Sequence, residues 1–592
     1  MKLIKKCNYL NCIRINFQCS FWFAGFIILQ TIIIALLPSV QVLANAYFLD
    51  KSLELLKNEQ PIMTVIPSLL FVISLLAYQW ILNPIVEMCK KRLEFSARSK
   101  FRTTITEKRS KLKYRYIENN ESLDLINRIS DNPEVKITQA YFSFLSFIAL
   151  ILRIGSLLAL LFTQVFWATI LIIIVSIPLF AIAIKSGKAT YQANKEMSKY
   201  QRKYQYLSEV MTSREAVDER AVFDYNNALN ERWNEQYEIA RKMELKIRIK
   251  WFIKLKSGSV ITAFISVFVT ALLLKPVITG TITIGMFYSL VNAIFSLVHI
   301  MSWEMTRSVD AIAHYREFLK ELSIFFGMEE QPDANALPAE CAPFKSLRLE
   351  NVSFKYPGTD HYVLKNMSME IKAGQHYAFV GVNGAGKSTI SKLLTGLYDN
   401  YEGNIIINGR NAKTYSFREL KMLFSVVYQD FAKYYISFKD NIALGNTMGS
   451  NEEDINQSVA LFKLQSVIQR LPEGINTMLG KIKSNGQDVS GGEWQKIALA
   501  RSFNSKAPIR ILDEPTAALD PVAESSLYEE FAHMCKGRTT IFVSHRLGSI
   551  KLADQIMLIG DGCVLECGTH SELMQLNGEY RKIYDSQREW YK

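Results

Sequence analysis

The chain has 592 residues, 49% of them hydrophobic and 21% charged, with a formal net charge of +13. At roughly 150 residues per domain this allows about four units, and composition excludes a disordered, collagen-like or disulfide-scaffold protein. Splitting the chain at residue 340 assigns +11 to the first part and +2 to the remainder. The basic excess therefore lies in the apolar half, which points to an anionic membrane surface rather than to nucleic acid.

A membrane helix needs ~20 mostly apolar residues. Six stretches qualify, at about 20–49, 62–86, 138–163, 165–184, 257–274 and 280–303. The first is too long for a secretory signal and lacks a small-residue cleavage site. The loops at 50–61, 164 and 275–279 hold three Lys or Arg, whereas residues 1–19, 87–137 and 185–256 hold 33. By the positive-inside rule both chain ends are cytoplasmic. The two long inner loops are poor in Pro and Gly and keep a helical pattern, so they read as helical extensions of spans two to five rather than soluble inserts. An arm of ~25 residues would reach ~37 Å. Polar turnarounds are expected at about 119–131 and 212–224, as contacts for a cytoplasmic domain.

Arg153 falls inside the third span, and His299 and Glu304 near the inner end of the sixth. Intramembrane charge faces a bundle interior or an aqueous cavity, which makes these three candidate substrate-cavity residues. The competing reading is a structural pair or a snorkelled arginine, with His299 and Glu304 at the interface. The eight cysteines are scattered and suit a reducing compartment. Cys563 and Cys567 read as free thiols of a strand and turn rather than a metal site, and Cys7, Cys12 and Cys19 as unlipidated.

Residues 328–345 form a polar, proline-containing linker, dividing a transmembrane domain (1–327) from an α/β domain (346–592). Gly381-Val382-Asn383-Gly384-Ala385-Gly386-Lys387-Ser388-Thr389 is a complete P-loop between a strand-like run, His376–Val380, and a helical stretch, Thr389–Leu397. Its glycines let backbone N–H groups converge on phosphate at a helix N-terminus. Lys387 would hold the β/γ-phosphates of ATP and Ser388 would ligate Mg²⁺. Ile511-Leu512-Asp513-Glu514 ends a strand in two carboxylates: Asp513 for the Mg²⁺ shell and Glu514 as general base. Without the P-loop upstream, that pair would read as a solvated turn. Val489-Ser490-Gly491-Gly492-Glu493 opens another helical run, a second phosphate-binding helix start that one ATP does not need within a single subunit.

In this motif order the chain resembles the ATP-binding cassette exporters, and specifically half-transporters with one membrane domain fused to one cassette. The fold implied is an all-α six-span transmembrane domain with long cytoplasmic helical extensions, joined to an α/β P-loop nucleotide-binding domain. The resemblance assigns adenine stacking to Tyr356, the Q-loop glutamine (a further Mg²⁺ ligand) to Gln429, the signature to Ser490–Glu493, the D-loop to Ala517–Asp520 and the switch histidine to His545. It also makes the two turnarounds coupling helices. Val489 and Glu493 replace the family's usual Leu and Gln, and Arg510 interrupts the apolar run before Asp513, as expected of an edge-facing or snorkelled position.

The family mechanism implies two cassettes closing head-to-tail around two ATP molecules. The partner is a second half-transporter, a homodimer first and a heterodimer second. Stretches at Tyr428–Tyr434 and Gln495–Glu524 resemble bacterial exporters of modified peptides such as lanthipeptides, so the cargo expected is a peptide. The alternative is a lipid or hydrophobic drug, and the minor alternative a cassette protein that gates another channel. About nineteen residues precede the first span, so cargo processing by a leader-cleaving protease domain is not expected.

Overall fold

The computed structural model describes residues 7–58, 62–213, 216–223, 225–337, 343–481, 486–516, 524, 527, 528, 531, 537–544, 550 and 552–590. The chain separates into two compact units. One comprises Met1–Lys108 and Leu125–Met328; the other comprises Arg109–Asp124 and Glu329–Lys592.

The first unit is helical. A short helix, α1 (Tyr9–Cys19), precedes α2 (Phe21–Asn58) and α3 (Ile66–Ala97). Through a π-turn at Arg98–Arg102, α3 runs on into α4 (Thr103–Lys111). The short helix α5 (Tyr114–Glu118) and the start of α6 (Asn120–Ser130) belong to the second unit; the first resumes at Leu125 and continues through α7 (Pro133–Gln164), α8 (Phe166–Thr212), α9 (Val217–Phe223) and α10 (Asn226–Ile278). A second π-turn, Ile300–Glu304, joins α11 (Ile284–His299) to α12 (Met305–Gly327). Among the described residues, Phe21–Lys57, Ile62–Lys111 and Pro133–Gln164 are long and apolar enough to cross a membrane, and Ser266–Ile278 and Ile284–His299 are shorter apolar helices. At 47 and 53 residues, α8 and α10 are each more than twice the ~20 residues a hydrocarbon core requires.

Apolar surfaces are no more cohesive with one another than with lipid tails, so polar contacts and close backbone approach specify how such helices meet. Ser39 and Ser156 share a 2.7 Å hydrogen bond between α2 and α7, and Tyr141 donates to the Ala24 carbonyl at 2.9 Å. Glu134, at the start of α7, is fully buried and faces Arg98 and Arg102 at 3.3 and 3.4 Å. At the far end of α2, Asp50 accepts from the Thr283 hydroxyl at 2.6 Å and from the Gly285 N–H at 2.8 Å. That carboxylate satisfies a free N–H in the first turn of α11, where negative charge is favourable.

The second unit is α/β. β1 (Ser346–Phe354), β2 (Leu364–Lys372), β4 (Glu402–Ile407) and β5 (Arg410–Asn411) form an antiparallel sheet in the order β2-β1-β4-β5. A six-stranded sheet runs β10-β9-β3-β8-β7-β6, from β3 (His376–Val380), β6 (Phe424–Val427), β7 (Ile509–Asp513), β8 (Thr539–Val543), β9 (Gln555–Gly560) and β10 (Cys563–Gly568). All its pairings are parallel except β9 with β10. Strands β7 and β8 are buried along their whole length, as a sheet covered on both faces requires. Leu349, Phe354, Phe379, Ile390, Ile405 and Ile511 share one core that includes α13 (Lys387–Leu394). A second core gathers Phe438, Phe462, Trp494 and Leu499 from the mainly helical stretch that includes α14 (Gly491–Phe503).

Arg510 is not at an edge. β7 lies between β6 and β8, and Arg510, paired with Ser425 and Thr540, is only 2% exposed. Its guanidinium lies 3.8 Å from the centre of the Phe503 ring and donates to the Phe503 carbonyl at 3.4 Å. Cation–π stacking and a helix-end carbonyl replace the solvent that an edge position would supply. Cys563 and Cys567 both belong to β10, and neither is in a disulfide.

Candidate nucleotide site and membrane cavity

β3 delivers the chain to Gly381, where a Cβ would lie 2.1 Å from the Ile559 carbonyl oxygen. Gly386 has φ +98°, and a Cβ there would strike Leu364 at 2.7 Å. The loop thus needs glycine for close approach at one end and for left-handed backbone at the other. α13 begins at Lys387, directly after Gly386. The Lys387 ammonium is buried inside the loop and donates to the carbonyls of Gly381 (2.7 Å) and Val382 (3.0 Å). Burial draws its pKa down, opposed by the charges of Glu514 and Asp513. Asn383, Gly384 and Ser388 are exposed at the mouth of the loop, while Ala385 is buried beneath it.

Asp513 is buried at the end of β7. Burial raises its pKa, while a hydrogen bond from Ser388 acts the other way. Glu514 has φ +46°, rare for a residue with a Cβ. Its N–H donates to the Val543 carbonyl at 2.8 Å, and Gln495 donates to its carbonyl at 3.3 Å. The backbone therefore turns sharply between the two carboxylates, one held in the sheet and the other beyond it. Gln429 is exposed in the segment after β6. Asp520 and His545 lie outside the described residues.

The Tyr356 hydroxyl shares a 2.9 Å hydrogen bond with Thr389, and its ring packs edge-on against Phe354 and Tyr398. Beside it lies a cleft of about 620 Å³ that Arg115, Glu118 and Asn119 also line. Lys392 joins the two sides, bonding Glu118 at 2.7 Å with its ammonium 5.4 Å from the Tyr356 ring centre. Reasoning from motifs missed Arg115, Glu118 and Asn119. Only Asn119 falls within the polar turnaround expected at about 119–131; Arg115 and Glu118 lie just before it.

Ser490 caps α14. Its hydroxyl accepts from the Glu493 N–H at 3.3 Å, and the Glu493 carboxylate accepts from the Ser490 N–H at 2.8 Å, a reciprocal capping box. Arg470 grips the other carboxylate oxygen. Although burial opposes it, these contacts hold the Glu493 carboxyl below the usual range. Gly491 has nothing within 4 Å of where a Cβ would stand, so its face is open. Among the described residues, no P-loop residue is a hydrogen-bond partner of this segment.

In the helical unit, Arg153, His299 and Glu304 line one cavity of about 870 Å³. Arg153 lies 3.3 Å from Glu304.

Residues 364–517 match the model of the ABC transporter family, described as "ABC transporter". The subtilin transport ATP-binding protein SpaT of Bacillus subtilis is 27% identical over 567 residues, 94% of this chain and 90% of its own. The ATP-dependent lipid A-core flippase of Pseudomonas syringae pv. tomato is 28% identical over 486 residues, 79% of this chain and 77% of its own. A solved bacterial Atm1-family ABC exporter with ATP bound superposes with a TM-score of 0.76 at 21% identity, over 95% of this chain and 98% of that one. The chain carries an ABC transporter domain, and over nearly its whole length it has the fold of an ABC exporter. Its cassette is an ATPase coupled to transport across a membrane.

For this exporter the Glu493 departure has a local explanation. Glutamate closes the capping box through the same carboxylate position a glutamine amide oxygen would occupy, and its charge adds the Arg470 pair.

Proposed function

We propose that this exporter moves a modified peptide out of the cytoplasm, in a multi-pass arrangement with both chain ends and the cassette cytoplasmic. What carries the peptide reading is the similarity to the subtilin transport protein, which extends over 94% of this chain and so includes its membrane region. Specificity resides in that region, whereas cassettes are shared across cargo classes. The flippase similarity across 79% of the chain supports a lipid cargo as the second reading.

In this mechanism Lys387 contacts the β/γ-phosphates, and Tyr356 presents its ring beside the adenine, in the cleft shared with Arg115. The exposed Ser388 hydroxyl and the buried Asp513 carboxylate offer the oxygen donors a hard cation requires, with Gln429 as a third. When bound, Mg²⁺ supplies neutralisation of charge on the transferring phosphoryl group. Glu514, turned out of the sheet by its left-handed backbone, takes the proton of the attacking water, and His545 steadies the γ-phosphate. The open face of Ser490–Gly492 closes over the nucleotide of a second half-transporter, whose signature closes over this one. A homodimer would then have two complete sites. The segments around 119–131 and 212–224 transmit cassette closure to the membrane helices.

The test is ATP-dependent uptake of labelled peptides into inverted membrane vesicles containing this chain, with Glu514→Gln as control. Wild type should accumulate peptide, and the variant should bind ATP without accumulation. Equal accumulation by both would overturn the coupled mechanism, and lipid translocation without peptide uptake would select the second reading.

A further inference from the structure

The membrane cavity is walled by segments of α2, α3 and α7 and by the π-turn with its flanking helices. Its charged lining is Glu87, Lys90, Arg153, Glu304 and Arg307, beside His299. Two of the three cations have carboxylate partners: Lys90 bonds Glu87 at 2.6 Å, and Arg153 faces Glu304 at 3.3 Å. Arg307 is exposed and has no acidic partner among the described residues, so the lining carries one positive charge in excess.

The Arg153–Glu304 pair is also incomplete. Its contacts of 3.3 and 3.4 Å use Nη1 alone, whereas strong guanidinium–carboxylate pairs are nearer 2.7–2.9 Å and two-pronged. The Nε of Arg153 is shielded from solvent and has no hydrogen-bond partner. Arg153 thus keeps an Nε–H without a partner in a cavity that Arg307 also lines, and guanidinium donors of this kind suit an anion. Glu304 ends the π-turn, a helix irregularity that frequently marks functional sites. The uncharged lining includes Asn83, Gln139, Ser143, Ser146, Ser308 and Tyr315. Those groups match the donors and acceptors of peptide amides, for which acyl chains have no counterpart.

We propose that this cavity binds a carboxylate of the peptide cargo between Arg153 and Arg307, with Arg153 exchanging Glu304 for the cargo. The inference rests on the peptide-export reading and names the feature of the peptide that is recognised. Binding a carboxylate there would release Glu304 from α7 and thereby loosen α7 from the π-turn.

The test uses the purified full chain in nanodiscs without nucleotide. The probes are matched pools of fluorescent dodecapeptides carrying Asp or, at the same positions, Asn, and binding is read by anisotropy. The Asp pool should bind at least about tenfold more tightly, as one charge-assisted hydrogen-bonded contact provides. Arg307→Gln and Arg153→Gln should each abolish that preference, and Arg307→Lys should restore part of it, which a merely folding-related defect would not. Equal binding of the two pools, binding of neither, or a preference that survives both glutamine variants would overturn the proposal. So would displacement of the Asp pool by phosphatidylglycerol at concentrations where excess unlabelled Asp peptide does not compete. Failure of the export reading is seen separately, in peptide uptake that Glu514→Gln does not reduce.

Discussion

Gly285→Ala should destabilise the membrane unit, against the ordinary rule for helices. Alanine within a helix is favoured over glycine by about 1 kcal/mol, and Gly285 sits in the first turn of α11 without a positive φ. Yet a Cβ there would lie 2.4 Å from the Ala46 carbonyl oxygen and 2.7 Å from Asp50 Oδ1. Neither neighbour yields easily, since one is helix backbone and the other is the carboxylate that accepts from Gly285 itself and from Thr283. Overpacking costs about 1–3 kcal/mol, and a lost charge-assisted hydrogen bond about 1.5–3 kcal/mol. After the helix gain is deducted, a net loss of about 1.5–5 kcal/mol remains. A chain of this size is unsuited to two-state analysis, so the readout is the half-life of ATPase activity on heating. It should shorten at least about tenfold, as a 1.4 kcal/mol change at the unfolding barrier already gives. Asp50→Ala, which removes the hydrogen bonds without the clash, should shorten it less. A half-life for Gly285→Ala equal to or longer than wild type would refute the reasoning, because it would mean that α2 and α11 are free to separate.

Glu493→Gln should keep ATPase activity within about threefold of wild type because the capping box survives, whereas Glu493→Ala, losing box and Arg470 pair together, should cost about 1 kcal/mol of stability. Arg510→Ala should be strongly destabilising, by about 2–4 kcal/mol in a heat-inactivation assay, since it opens a cavity against Phe503; Arg510→Met, which refills that space without a charge, should be close to wild type. Glu134→Gln should accelerate tryptic cleavage at Arg98 and Arg102, because a fully buried carboxylate no longer holds the π-turn. Chelation of Mg²⁺ with EDTA should stop hydrolysis while labelled ATP remains bound; continued hydrolysis would remove Ser388 and Asp513 from the metal role.

Much of the cassette was legible because its determinants are local. The spacing of glycines before Lys387 reflects what a tight loop between β3 and α13 demands, and the Asp-Glu pair reports the end of a β-strand. Apolar runs of ~20 residues likewise mark membrane helices whatever those helices touch. The Arg510 reading failed for the same reason. A charge in an apolar strand reads as an edge position until the strand order is known, and here β7 is interior and Phe503 lies in the adjoining helix.

What the chain alone determined was therefore element type, motif order and the class of chemistry, all written within a few residues of each position. Only the tertiary structure decided the rest. It set the left-handed turn at Glu514, the hold of Arg470 on Glu493 across 23 residues, and the meeting of Arg153 with Glu304 across 151. It also placed Arg115 and Glu118 beside Tyr356. Such contacts depend on how strands are ordered and helices pack, and those are properties of the whole chain that no local pattern encodes.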